Sequence, residues 1–576
     1  MPKHLIQLSD NRPIPDQYSF LPYASNSPQV DLSAYQNQRN YYSNLFPNEG
    51  YTSFSRSVNT STASERSVSS YAPGKSQIGS QFGTKTKISN NIPSEVLIWD
   101  VDANGSPHSN GYYASGLLNV TETTGPDANG SNGSIASLRT RVYSDRDGKI
   151  ILKMVADSSF TVSGQSPAIT YTYTYYLYDE KGNLRCIITP KAYKYLLGPN
   201  SVSTILNNLC FQYQYDAKGR MCGIKKPGEG DFTYIVYDRK NRPVMRQTPN
   251  ERAANEWEIT FLDGLNRPKV TSVYHDAAGI DHNAWQNNID TWTSGGTYAD
   301  LLNYLVTPSM ESQYPVSSHP VDDPGNNAGN VITSNTNTVM TINYYDDYSH
   351  LDPSNTLFNE CQNTVALTYL STTGAETPTQ STRTYGMATG SIVRILRSPT
   401  ASASKVGDWR TSVSFYDDKG RVIDSKSFVT DNTTTHSVIN TDYTGLQYDF
   451  AGRVLTSGHV FTNVNTSHNA LGTTHTEYSK NQYDAVSGAL IKTVHSVDGN
   501  AWATIATYLY DDLGRVKRKT LGAGGEVQEM DYNIRGQLSA INGIYAETAN
   551  KGGFSKTFGE SLKYDYGFSK PRYDGR

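Results

Sequence analysis

Along much of this chain, apolar and polar residues alternate with a period of two. Tyr171-Thr-Tyr-Thr-Tyr175, Phe211-Gln-Tyr213-Gln-Tyr215 and Thr507-Tyr508-Leu-Tyr510 place aromatic and β-branched side chains in strict succession with polar ones or with each other. This is the pattern of strands. Each such run ends in a short polar stretch holding Gly or Asn, and a second alternating run follows, as in Arg515-Val-Lys-Arg-Lys-Thr-Leu-Gly522. Strand, turn and returning strand make a β-hairpin. Helical patterning is confined to brief segments, at Ala192-Tyr-Lys-Tyr-Leu-Leu197, from Val202 to Leu209, and at Tyr298-Ala-Asp-Leu-Leu-Asn-Tyr-Leu305. The predicted class is all-β, built of repeated antiparallel hairpins with a few short helices.

The turns share one formula: Tyr, Asp, two variable residues, Gly, Arg. It occurs as Tyr178-Asp179-Glu-Lys-Gly182, Tyr215-Asp216-Ala-Lys-Gly219-Arg220 and Tyr237-Asp238-Arg-Lys-Asn241-Arg242. It returns as Leu262-Asp263-Gly-Leu-Asn266-Arg267, Tyr416-Asp417-Asp-Lys-Gly420-Arg421, Tyr448-Asp449-Phe-Ala-Gly452-Arg453 and Tyr510-Asp511-Asp-Leu-Gly514-Arg515. Looser copies begin at Tyr143, Tyr483 and Tyr532, and a degenerate one at Tyr345. Where nothing intervenes the period is 22 residues, from Tyr215 to Tyr237 and from Tyr510 to Tyr532.

Each position has a physical task. An Asp at the strand end bonds backbone N–H groups ahead of it and starts the turn. The Gly three residues on is where a hairpin loop needs positive φ. Asn at 241 and 266 fits that reading, because Asn is the next residue to tolerate that region. The six Arg have two readings, a ligand-binding row or a structural role. In the structural reading each pairs with a motif Asp, its own or a neighbour's, or stacks on a Tyr ring. A residue recurring once per hairpin serves the hairpin.

Composition narrows the function. The 576 residues exceed what one core supports, so several domains or a repeat array must carry them. Apolar content is 36%, below the roughly 45–50% of ordinary globular chains. Aromatic content of 11% nevertheless argues against disorder. With 42 Tyr against 16 Phe, thin sheets wetted on one face suit the chain better than a thick apolar core. A net charge of −4 without a basic block argues against nucleic acid. No run reaches the ~18 apolar residues of a membrane span. The first residues carry no signal-peptide pattern, so a secretion address would lie outside this chain. The four Cys, at 186, 210, 222 and 361, are too few for a disulfide framework and read as isolated buried thiols.

The repeated formula resembles that of the YD-repeat or RHS family of large secreted bacterial proteins. Other segments are similar to the subgroup associated with type IX secretion, in its N-terminal region and first repeats. They are Leu21-Pro-Tyr-Ala24, Ser53-Phe-Ser-Arg56, Tyr71-Ala-Pro-Gly74, Val96-Leu-Ile-Trp-Asp100, Thr189-Pro-Lys-Ala192, Tyr385-Gly-Met-Ala-Thr-Gly390 and Lys563-Tyr-Asp-Tyr-Gly-Phe-Ser-Lys-Pro-Arg-Tyr573. The resemblance implies a long curled sheet, a shell or cocoon, secreted or at the cell surface. Its partner would be an enclosed or adjacent variable C-terminal segment, often a toxin, with secretion machinery or surface glycans as further partners. The family's self-cleaving Asp-Pro-x-Gly elements are not matched, because Asp323-Pro324-Gly325 and Asp352-Pro353-Ser354 lie in polar, loop-like sequence. The chain therefore reads as an internal shell segment or a split gene's product. Residues after about 560 are expected to be poorly ordered, held by a partner, or engaged in edge-to-edge association.

The expected organisation is a β-rich region at 1–160, YD repeats with a helical insert at 161–275, a polar insertion at 276–340, and further repeats at 341–576. Ser/Thr/Asn-rich runs at 325–340 and 428–442 read as surface loops. Chemistry-bearing motifs are few. Asp100-Val-Asp102-Ala-Asn104-Gly105 copies the first half of a calcium loop, but its twelfth position is Gly111 where a bidentate Glu belongs. A plain Asx-turn is the default there. His275 and His282 read as solvated loop residues. No metalloprotease, P-loop, nucleophile-elbow or dinucleotide motif occurs, so no cofactor and no catalysis are expected. A carbohydrate- or protein-binding surface of exposed Tyr rows is the alternative to a structural shell.

Overall fold

A computed structural model describes residues 4–564 apart from 7–15, 26–32, 48, 62–65, 80–82, 102–106, 126–138, 158–169, 197–201, 294–336, 352–372, 397–405, 431–437, 464–473 and 549–555. Among the described residues strand predominates, and all but two small strand pairs belong to one antiparallel sheet. The spatial order of its strands follows the chain. Asp16–Phe20 pairs with Phe54–Ser61, which continues to Arg66–Tyr71, Thr84–Asn90, Asn119–Thr124 and Arg139–Ser144. From there each strand pairs with the one before and the one after it, as far as Glu560–Ser561. Asp16–Phe20 and Glu560–Ser561 each have one described strand partner. The backbone ladder is therefore a ribbon with two ends.

Alternation explains which residues are buried. In Glu256–Leu262 the inward side chains are Trp257, Ile259 and Phe261, all essentially without solvent contact, with Glu256, Glu258, Thr260 and Leu262 between them. Two large core clusters lie along the ribbon. One gathers Trp257, Trp285, Trp409, Phe415 and Phe428, and the other Tyr143, Leu152, Tyr175, Ile188 and Leu206. Helices Pro190–Leu196 and Val202–Leu209 cover the second, and His282–Thr291 seats Trp285 and Ile289 in the first. Pro268–His275 pairs directly with Asn337–Asp346, so the strands on either side of 276–336 are neighbours in the sheet. The helix expected at Tyr298–Leu305 lies outside the described residues.

The structure corrects four readings. Residues 428–430 and 438–442 belong to strands Val422–Thr430 and Val438–Tyr448, with Phe428 and Thr441 buried. Their Thr and Asn content resembles a loop, but β-branched Thr fits a pleated sheet. Residues 337–340 are likewise strand, within Asn337–Asp346. The thiols of Cys186 and Cys210 are not isolated: both are buried and they hydrogen-bond each other. That bond, with burial added to it, pushes the Cys186 thiol up. Finally, His282 is no loop residue. It opens its helix and stacks on Tyr234 with ring centroids 3.8 Å apart, and burial lowers its pKa. Helix α1 (Ala34–Leu45) was not foreseen either, because its buried face is the polar-aromatic pair Gln38 and Tyr42.

Candidate functional site

The recurring turn is the chemical constant of this chain, and its geometry is the same in copy after copy. At Asp216 one carboxylate oxygen accepts the backbone N–H groups of Lys218 and Arg220, each at 2.9 Å, and the other accepts Arg220 Nε at 2.6 Å. The backbone closes around it, with Gly219 N–H donating to the Asp216 carbonyl and Asp216 N–H to the Arg220 carbonyl. Asp238, Asp263, Asp417 and Asp511 make the same three contacts with the residues two and four positions on. Asp449 binds the N–H and Nε of Arg453. In all six copies the Nε–carboxylate distance is 2.6–2.7 Å, the range of strong charge-assisted bonds. Asp179 bonds the N–H and side-chain amide of Asn183, which stands in the Arg position.

The residue three positions after each motif Asp takes φ between +62° and +83°, at Gly182, Gly219, Asn241, Asn266, Gly420, Gly452 and Gly514. A register shift immediately precedes each motif's first residue, as between Gln214 and Tyr215. Together these make a type I turn closed by a G1 bulge. The pKa directions follow. Burial raises Asp216, Asp417 and Asp449, yet the Arg backbone and guanidinium donors outweigh it and hold these carboxyls below the usual range.

Sequence reasoning anticipated Arg stacking on a Tyr ring but missed the hydroxyl bond by which one turn grips the next. Where one turn ends in Arg and a Tyr heads the next, that Tyr donates its hydroxyl to the carbonyl of the residue just after the Arg. Tyr237 reaches Met221 at 2.7 Å, Tyr448 reaches Val422 at 2.8 Å, Tyr483 reaches Val454 at 2.9 Å and Tyr532 reaches Val516 at 2.7 Å. The Arg then lies over that same ring: Arg220 over Tyr237 at 4.8 Å, Arg421 over Tyr448 at 4.6 Å, Arg453 over Tyr483 at 4.8 Å and Arg515 over Tyr532 at 4.4 Å. Each Arg therefore serves two repeats. The preference for Tyr over Phe at the motif's first position was the available signal. Leu262 tests the logic, since it has neither ring nor hydroxyl. Arg242 instead sends Nη1 to the Asp263 carbonyl at 3.3 Å and to Asn266 Oδ1 at 2.8 Å. Asn241 likewise accepts Arg220 Nη1 at 2.9 Å. Asn in the Gly position therefore supplies an acceptor as well as tolerance of positive φ.

Other candidates are weaker. Asp100 accepts a bond from the Asn110 amide at 3.1 Å, while Asp102 and Asn104 lie outside the described residues. Among the described residues no group of three His, Cys, Asp or Glu is placed to hold a metal. A cavity of about 80 Å³ is lined by Tyr234, Arg252, Asp281 and His282 among others, room for a few water-sized groups.

No family model matches the sequence, and no curated protein sequence matches it. Among solved structures, it is similar to the Photorhabdus luminescens Tc holotoxin pore bearing a TccC3 mutation, at 10% identity and a TM-score of 0.28, over 85% of this chain and 24% of that one. It is also similar to a crystal structure of TcdB2–TccC3–Cdc42, at 10% identity and a TM-score of 0.24, with the same coverages. The chain spans about a quarter of the length of the chains it matches.

Proposed function

We propose that this chain is a structural shell segment of a YD/RHS-repeat protein, secreted or displayed at the cell surface as type IX cargo, whose sheet encloses or presents a variable C-terminal segment. One observation carries the reading. The motif's reactive-looking groups are consumed in building the sheet, each Arg divided between its own Asp and the next repeat, through its Tyr or, for Arg242, through Asp263 and Asn266. A guanidinium held by a carboxylate on one side and a ring on the other has little left for a ligand. The same contacts weigh against Tyr rows that stack on sugars, since the motif rings carry Arg and their hydroxyls are bonded to carbonyls. Limited proteolysis of the whole natural gene product is the test. Any segment that follows 576 in it should resist cleavage while the ribbon is folded and become sensitive once denaturant opens it. Equal cleavage in both conditions would refute enclosure. A hydrolase screen of the chain should find no turnover, and activity abolished by a single substitution would refute the structural role.

A further inference from the structure

The turn at Tyr532–Gly536 has an apolar residue, Ile534, at its tip. The same tip position in the turn at Tyr448 is Phe450, which is 85% exposed, whereas Ile534 is 4% exposed. Ile534 is covered by the other end of the chain. It forms one buried cluster with Tyr23 and Tyr42, flanked by Leu21, Tyr41 and Phe46. Its neighbour Arg535 sends Nη1 to the Pro73 carbonyl at 3.5 Å and to Ser76 Oγ at 3.4 Å, across 462 and 459 positions of sequence.

The receiving surface is built independently of this turn. Gln38 of α1 donates its amide to the carbonyls of Ser53 and Leu21 and accepts the Ser53 hydroxyl, while Tyr42 donates to the Pro22 carbonyl at 2.6 Å. Those bonds fix α1 on the first strands of the ribbon. Gly74 completes the cup with φ +113°, and a Cβ there would stand 3.0 Å from Ile534 Cγ2 and 3.2 Å from Glu49 Oε2. Glycine is thus required twice over, by conformation and by space. The adjoining turn is close as well. Burial first, and then the charges of Asp512 and Asp511, push the Tyr41 phenol up to about 12.

We propose that α1 and residues 71–79 form a clasp that accepts the Ile534–Arg535 turn and closes the ribbon into one circuit. Among the described residues the backbone ladder leaves its end strands unjoined, and the clasp joins the N-terminal strands to the late repeats through side chains. Closure converts a nearest-neighbour array into a unit whose two ends report on each other. The inference concerns how the ribbon is held and goes beyond the question of what it encloses.

Hydrogen exchange on the full chain tests it, because the clasp predicts effects across the seam. Ile534→Asp should speed exchange at 34–45 and 71–79 by about tenfold or more, the scale of exposing one large aliphatic side chain, and leave the remote hairpin of Val406–Tyr416 and Val422–Thr430 unchanged. Gly74→Val should speed exchange at 530–541, and Ile534→Val should do neither. If Ile534→Asp does not accumulate, Arg535→Ala reads the same cross-seam effect at smaller size. Changes confined to the substituted side in the Ile534 and Gly74 variants alike would overturn the clasp, as would Ile534→Val acting as strongly as Ile534→Asp.

Discussion

Gly514 isolates the energy of the turn. It sits at φ +77°, and no atom lies within 4 Å of where its Cβ would be. A substitution there meets open space, so its cost is conformational alone. A non-Gly residue in the left-handed region costs about 1–2 kcal/mol, and a β-branched one belongs at the upper part of the 1–3 kcal/mol range of strained positions. Gly514→Val should therefore destabilise the hairpin Ala503–Leu521 by about 2 kcal/mol, and Gly514→Asn by well under 1 kcal/mol. Asn241 and Asn266 occupy the equivalent position at φ +62° and +66°, which makes the Asn variant a control drawn from the chain itself. Amide exchange within Ala503–Leu521 is the assay. A loss of 2 kcal/mol corresponds to roughly thirtyfold faster exchange, at 1.4 kcal/mol per decade. Strands as distant as Arg139–Ser144 should not change. Equal effects of Val and Asn would refute the reasoning, because steric contact or general destabilisation, and not φ, would then be the cause.

Three further outcomes are expected. Arg421→Ala should cost about 2–4 kcal/mol by chemical denaturation, because Arg421 binds Asp417, Glu376 and the Asp449 carbonyl and lies over Tyr448; a loss under 0.5 kcal/mol would show that the inter-repeat contact is idle. Tyr532→Phe, which removes only the hydroxyl bonded to Val516 at 2.7 Å, should cost about 0.5–1.5 kcal/mol, and a neutral result in a melting series would count against the hydroxyl bond as a link between turns. The carboxyls of Asp216, Asp417 and Asp449 are held below their usual range, so their stabilisation is fully present above an unfolded value of about 3.9 and is lost as pH falls through the lower folded values; melting temperatures unchanged from pH 5 to pH 2 would contradict this.

The turns were legible in the sequence because each position answers a local demand. Asp bonds N–H groups two and four residues away, Gly or Asn takes positive φ, and Arg returns to its own Asp, all within one short segment. What meets across repeats was less legible. Tyr at the motif's head reads as a strand residue, and nothing nearby reveals that its hydroxyl seeks the carbonyl after the previous Arg. The clasp was illegible for the same reason. Ile534 is one apolar tip among several, like Leu265 and Phe450, until Tyr23 and Tyr42 at the other end of the chain are seen to cover it. The strand Val438–Tyr448 was misread because its Asn and Thr look polar, although Thr441 faces inward.

The insertion at 276–336 shows why such a ribbon can grow without losing its order. Adding chain between two strands costs loop-closure entropy that rises only slowly with length, so the limit is set by contacts and not by distance along the chain. Between ordinary repeats the contact is Arg to the next Tyr. Across the insertion Arg267 makes the same connection over 79 positions, binding Asp346 at 2.8 Å and lying 4.3 Å from the centre of the Tyr345 ring. Tyr345 in turn donates its hydroxyl to the carbonyl of Pro268, the residue just after that Arg. The degenerate copy at Tyr345 lacks the Gly and Arg of the formula, yet it keeps the two residues the preceding repeat needs. Each turn thus has two separable duties, closing its own hairpin and receiving the one before. A copy can lose the first and still hold the ribbon together through the second.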